Sequence, residues 1–84
     1  MKIPNELKIN GITYAVRQQL LNDCGNFDAK KQLIILADDL TDSMLELTLW
    51  HEAIHAYNHE YSEEETERLA QMIVAIINDN KLYG

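Results

Sequence analysis

The order of apolar and polar positions divides the chain into a strand-forming first half and a helix-forming second half. From Glu6 to Gln18 the residues read Glu-Leu-Lys-Ile-Asn-Gly-Ile-Thr-Tyr-Ala-Val-Arg-Gln, two alternating runs separated by Asn10 and Gly11. Both turn residues tolerate the positive φ that a type I′ turn demands at its two central positions, so residues 7–9 and 12–17 are predicted to pair as an antiparallel hairpin. Ile12, Tyr14 and Val16 then share one face by the two-residue period of a strand. Residues 22–26 are dense in turn formers, and residues 28–31 read as another turn. Residues 32–37, with Leu-Ile-Ile-Leu inside, form a third, buried strand. That run is too short for a helix, with Asp38 and Asp39 directly behind it.

Beyond residue 40 the apolar spacing changes to three and four. Thr41 or Asp42 is placed to cap a helix reaching about residue 58, whose apolar positions Met44, Leu45, Leu47, Leu49, Ala53, Ile54 and Ala56 suit packing on more than one side. Ser62-Glu63-Glu64-Glu65 carries a capping-box signature, with Ser62 as N-cap and Glu65 reaching back to it. Three carboxylates in that first turn also suit the positive end of the helix dipole. Leu69, Ala70, Ile73, Ile76 and Ile77 continue the second helix until Asn78-Asp79-Asn80. No repeat, low-complexity tract or linker interrupts the pattern, so residues 1–84 read as one α+β domain. Its expected form is a small three-stranded, mostly antiparallel sheet packed on two helices.

Composition narrows the function classes. With 84 residues, 46% hydrophobic and 25% charged, the chain reads as globular rather than disordered, on a thin stability margin. Seven Lys+Arg stand against 14 Asp+Glu, a net charge of −7, so direct binding to nucleic-acid phosphates is not expected. A basic partner, or mimicry of nucleic acid, stays open. The apolar runs at 33–37 and 72–77 fall far short of the ~18 residues a membrane span needs. No apolar core follows the N-terminus to make a secretory signal. Cys24, the single cysteine, has no partner for an internal disulfide, and a reducing cytoplasm is the expected compartment.

The chemistry lies in His51-Glu52-Ala53-Ile54-His55, an H-E-x-x-H pattern inside the first predicted helix. At ~1.5 Å rise per residue the two imidazoles stand on one face, about 6 Å apart along the axis, where both can converge on one Zn²⁺. Glu52 points to the side of the pair, placed to deprotonate a water that the metal activates and then to protonate the leaving amine. A catalytic zinc needs a third protein ligand and one open position. His59 lies about 12 Å from His51 along a continuous helix and reads instead as a helix C-terminal residue favoured by the dipole. The ligand is therefore expected from the second helix. Glu67, one turn before Ala70 and two before Val74 on a lane of small residues, is the first candidate. Glu64, one turn earlier on a similar face, is the second. Glu63 and Glu65 stay open, Glu65 being engaged in the capping box. An acidic run of this kind is also an ordinary solvated helix start.

The segment from Thr48 to Ala56, followed by Glu67-Arg68-Leu69-Ala70, resembles the small zincin-like metallopeptidases of phages and mobile elements, similar to the ImmA/IrrE group. The preceding Asn-Gly hairpin and Gln-Leu-Ile-Ile-Leu-Ala-Asp-Asp resemble them too, so the likeness covers most of the chain, although only the H-E-x-x-H is sharp. The resemblance implies a minimal zincin-like domain, zinc on His51 and His55, a general base at Glu52, a glutamate ligand at the position of Glu67, and a protein or peptide substrate in a bacterial host cytoplasm. Larger members cut a phage or element repressor. This chain departs from them in lacking a recognisable substrate-binding or regulatory domain and the Leu-Leu-Met-Pro-like end after the glutamate helix. The alternative to a peptidase is a catalytically inactive zincin-like binding module, such as an acidic inhibitor of a host protein.

Other residues carry weaker signals. Trp50 reads as core packing, with substrate contact as the alternative. Tyr57 or Tyr61 could donate to an oxyanion, packing being the commoner role. Cys24 reads as inert, and Tyr14 and Tyr83 carry no case for function.

Overall fold

Asn10 and Gly11 adopt φ of 52° and 80°, the left-handed pair that folds β1 (Glu6–Ile9) back on β2 (Ile12–Gln19). The hairpin sets Leu7 opposite Tyr14 and Ile9 opposite Ile12. The structure is a computed structural model describing residues 3–82; Tyr83 lies outside the described residues. Two further strands follow, β3 (Gly25–Asp28) and β4 (Leu33–Ala37), then α1 (Asp42–Tyr57) and α2 (Glu63–Asp79). The architecture is thus α+β with two helices, and the sheet differs from the expected one. It has four strands in the order β1-β2-β4-β3, and β2 pairs with β4 in parallel.

Two of the three strand pairings are antiparallel, as expected. The fourth strand and the one parallel pairing depart from the expectation, each with a physical reason. Gly25-Asn26-Phe27-Asp28 is short and rich in turn formers, yet it pairs antiparallel with β4, Phe27 opposite Ile34. Because β3 runs back past β4 to the sheet edge, the chain re-enters between β2 and β3, and β4 runs the same way as β2. Along β4 the helix-facing Ile34 and Leu36 are completely enclosed, whereas Leu33 and Ile35 on the other face are half-buried.

α1 covers one face of the sheet. Ile34 and Leu36 are completely enclosed, and Tyr14, Val16, Leu49 and Ala56 join them in the core. Thr41 caps α1, its Oγ1 accepting from the Met44 N–H at 3.3 Å. Among the described residues α2 packs on α1 and on no strand, its buried positions being Thr66 and Ala70. Its second half stays open, with Met72 and Ile76 exposed. No helix among the described residues is long and apolar enough to cross a membrane.

Candidate metal centre

One turn of α1 places His51 over His55, with ring centroids 4.8 Å apart at 72°. Their Nε2 atoms approach to 3.2 Å. The connection at residues 58–62 reverses the chain so that Glu63, the first residue of α2, reaches back over this pair. Its Oε2 stands 3.2 Å from His51 Nε2 and its Oε1 2.7 Å from His55 Nε2. Two imidazole nitrogens and one carboxylate therefore meet at a single point, a group that could hold a metal ion.

The donor chemistry fits zinc. Tetrahedral bonds of ~2.0–2.1 Å space neighbouring ligand atoms by about 3.3–3.4 Å, close to the two 3.2 Å separations here. The contact between His55 Nε2 and Glu63 Oε1, 2.7 Å, is shorter than that spacing.

Glu52 lines the same cleft and is only 7% exposed. Burial pushes its carboxyl up to about 6, opposed by the charge of His51 and reinforced by that of Glu63. A carboxylate poised in this range is suited to take and return protons near neutrality.

A cleft of about 560 Å³ runs between α1 and the edge strand β3. Gly25 lets the strand come this close to the helix. A Cβ there would lie 2.6 Å from Thr48 Cγ2 and 3.3 Å from Glu52 Cγ. Met44 and Leu47 form one end of the α1 wall, and His51, Glu52 and His55 follow along it. The outer edge of β3 pairs with no strand among the described residues.

The acidic run of α2 divides into separate tasks. Glu67 does not join the three-atom group; its Oε1 lies 3.3 Å from Nδ1 of His51, the opposite side of that ring. Glu64 turns outward and accepts from Arg68 Nη2 at 2.6 Å. Glu65 completes the capping box, accepting from the Ser62 N–H at 3.0 Å while its own N–H donates to Ser62 Oγ at 3.0 Å. These bonds from Ser62 hold the Glu65 carboxyl below the ordinary carboxylate range.

His59 stands apart from the three-atom group. Its Nδ1–H donates to the His55 carbonyl at 3.0 Å, and its ring stacks on Phe27 at 6.0 Å and 17°, closing the cleft between the end of α1 and β3. Trp50, Tyr57 and Tyr61 do not line the cleft, whereas Cys24 does. The Trp50 indole Nε1 is buried without a partner among the described residues.

Glu63 and the cleft wall of Gly25, Phe27 and His59 were not prominent in the chain's pattern. One available signal was the stripe through Ala70 and Thr66, which at helical spacing passes through both Glu67 and Glu63. Another was Gly25 among turn formers, since a glycine in a strand often marks close approach of another element. No protein-family model, curated protein or solved structure matches this chain.

Proposed function

We propose that this chain is a minimal zinc-dependent peptidase in which His51, His55 and Glu63 hold the ion and Glu52 is the general base. The observation that carries this reading is the meeting of His51 Nε2, His55 Nε2 and both Glu63 oxygens within 2.7–3.2 Å, beside a buried carboxylate with a raised pKa. A zinc ion bound there supplies a Lewis acid that acidifies water and polarises a peptide carbonyl.

The remaining work belongs to the chain. Glu52 takes the proton of the attacking water and returns it to the departing amine, so that one water is consumed and two peptide ends are released. The unpaired edge of β3 offers backbone donors and acceptors along the cleft, and an extended peptide adds to it as a strand. The acid-rich walls, with Asp23, Glu52, Glu63 and Glu67 among the lining residues, favour a substrate that is not itself strongly acidic.

The test measures zinc content and peptide hydrolysis together. The wild-type chain should bind one zinc per molecule, and His51→Ala and Glu63→Ala should lose it. Glu52→Gln should keep the metal and lose cleavage. A wild-type chain that binds zinc but whose binding of a partner protein is unchanged by Glu52→Gln is the inactive binding module instead. A wild-type chain that takes up no zinc overturns the peptidase reading and leaves a metal-free binding module.

A further inference from the structure

We infer that Glu67 is a positioning residue for His51, fixing the ring so that Nε2 faces the metal, and is not itself a ligand. This rests on the metal reading above and goes beyond it by assigning separate tasks to two carboxylates one helical turn apart.

The hydrogen-bond inventory of the ring carries the inference. A neutral imidazole has one N–H and one lone pair, and the partner of one nitrogen decides the state of the other. On one side of His51, Nδ1 meets Glu67 Oε1 at 3.3 Å. On the other, Nε2 meets His55 Nε2 and Glu63 Oε2, both at 3.2 Å. Glu63 and Glu67 are both pure acceptors when ionised, so the ring alone does not choose between its tautomers. A cation on Nε2 does, because it needs the lone pair there and leaves the proton on Nδ1, where Glu67 Oε1 accepts it. That lone pair then points at the same place as the Glu63 carboxylate, an opposition of acceptors that a cation resolves. With the alternative tautomer, the bare Nδ1 would face the Glu67 carboxylate and Nε2 could not bind a metal.

The fold separates the two carboxylates. Glu63 opens α2 and spans both imidazoles from the end of the site, whereas Glu67, one turn further along α2, stands beside His51. Its neighbours Thr66 and Ala70 are buried against α1, which fixes where this turn of α2 lies. Glu67 is less exposed than Glu63, 40% against 79% for the side chains, as suits a group held at a defined place. An acceptor behind a ligating imidazole orients the ring and raises its basicity, and losing such a partner typically costs about 10- to 100-fold in metal affinity.

Zn²⁺ affinities are measured by chelator competition for wild type, Glu67→Ala, Glu67→Gln, Glu63→Ala and His51→Ala. In parallel, NMR of the zinc-loaded chain follows the His51 Nδ1–H proton. Glu67→Ala should bind zinc about 10- to 100-fold more weakly and lose exchange protection of that proton. Glu67→Gln keeps an acceptor oxygen and should recover part of the affinity and the protected proton, a rescue that general destabilisation would not give. Glu63→Ala should lose more affinity than Glu67→Ala. Equal affinities for wild type and Glu67→Ala, with the proton still protected, overturn the role of Glu67 and leave the metal centre standing. A Glu67→Ala loss matching His51→Ala, with Glu63→Ala unchanged, makes Glu67 the ligand and also overturns it. Absence of zinc binding by wild type overturns the metal reading and this inference with it.

Discussion

Adding a single methyl group at Gly25 probes the packing on which the cleft depends. The left-handed backbone region is not what requires glycine here, because Gly11 is the glycine found at positive φ. In an unobstructed strand, Gly→Ala would gain about 0.5–1 kcal/mol from reduced chain entropy. The new Cβ instead lands 2.6 Å from Thr48 Cγ2, 3.2 Å from the Ile35 carbonyl oxygen and 3.3 Å from Glu52 Cγ. Overpacking of this kind costs about 1–3 kcal/mol, so Gly25→Ala should be destabilising by about 1–2 kcal/mol net. For a domain of this size that lowers Tm by roughly 4–16 °C. Thr48→Ser removes the methyl at the shortest contact and leaves only the two longer ones. The four chains of the Gly25→Ala and Thr48→Ser cycle, unfolded in urea with chelator present, should therefore show a favourable coupling of about 1 kcal/mol. Strict additivity, or a Gly25→Ala chain as stable as wild type, would refute the close approach of β3 to α1.

Three further predictions test other parts of the molecule. Zinc at one hundred times its Kd should add ~2.7 kcal/mol, raising Tm by roughly 11–22 °C, and His51→Ala should abolish the difference; identical melting curves with and without zinc count against a bound ion. In the metal-free chain the Glu52 carboxyl has a folded pKa of about 6 against an ordinary 4.5, so its contribution favours folding at low pH and is lost as pH rises through 6. Glu52→Gln should then outstabilise wild type at pH 8 by on the order of 1 kcal/mol, less than the full shift implies because the carboxyl borders solvent, and the gain should vanish at pH 4; an equal gain at both pH values sinks the burial argument. Ser62→Ala should cost about 1 kcal/mol at neutral pH. Because bonding from the Ser62 backbone N–H holds the Glu65 carboxyl below the ordinary carboxylate range, that half of the capping box is intact above the range and weakens as acid protonates Glu65. The penalty of Glu65→Ala should therefore shrink in acid, as urea titrations at two pH values would show.

Local signals were legible wherever a residue's own chemistry decides the outcome. Asn10-Gly11 set the hairpin through positive φ, and Ser62 with Glu65 set the start of α2. The helical spacing of His51 and His55 put both rings on one face. What stayed hidden depends on partners distant in the chain. The run Leu33-Ile34-Ile35-Leu36 announces a buried strand but not its neighbours, so neither the parallel pairing with β2 nor the fourth strand could be read from it. β3 has too few residues to display a period, and its polar members look like a turn. Glu63 and Glu67 lie on one stripe of α2, so helical spacing alone does not say which reaches both Nε2 atoms. That depends on how far the turn at residues 58–62 slides α2 along α1, a tertiary quantity.

The position of α2 links the chemistry to the stability of the fold. α1 is anchored by the sheet, but among the described residues α2 packs on α1 and on no strand, with Thr66 and Ala70 fully buried and Leu69, Ile73, Val74 and Ile77 half-buried along its 17 residues. The fully enclosed pair is small and the larger apolar side chains are only half-buried, and burial of apolar area is the main force that docks a helix. The same junction concentrates negative charge, since Glu63 and Glu67 both approach His51 and Glu63 raises the carboxyl of buried Glu52. Opposing carboxylates push α2 away, whereas a cation shared by His51, His55 and Glu63 draws it in. Weak apolar docking and unbalanced charge thus call for the same remedy at the same place. On the proposed reading, a divalent ion there would fasten α2 to α1 while providing the Lewis acid, so that one bound cation would serve both the chemistry and the docking of the helix.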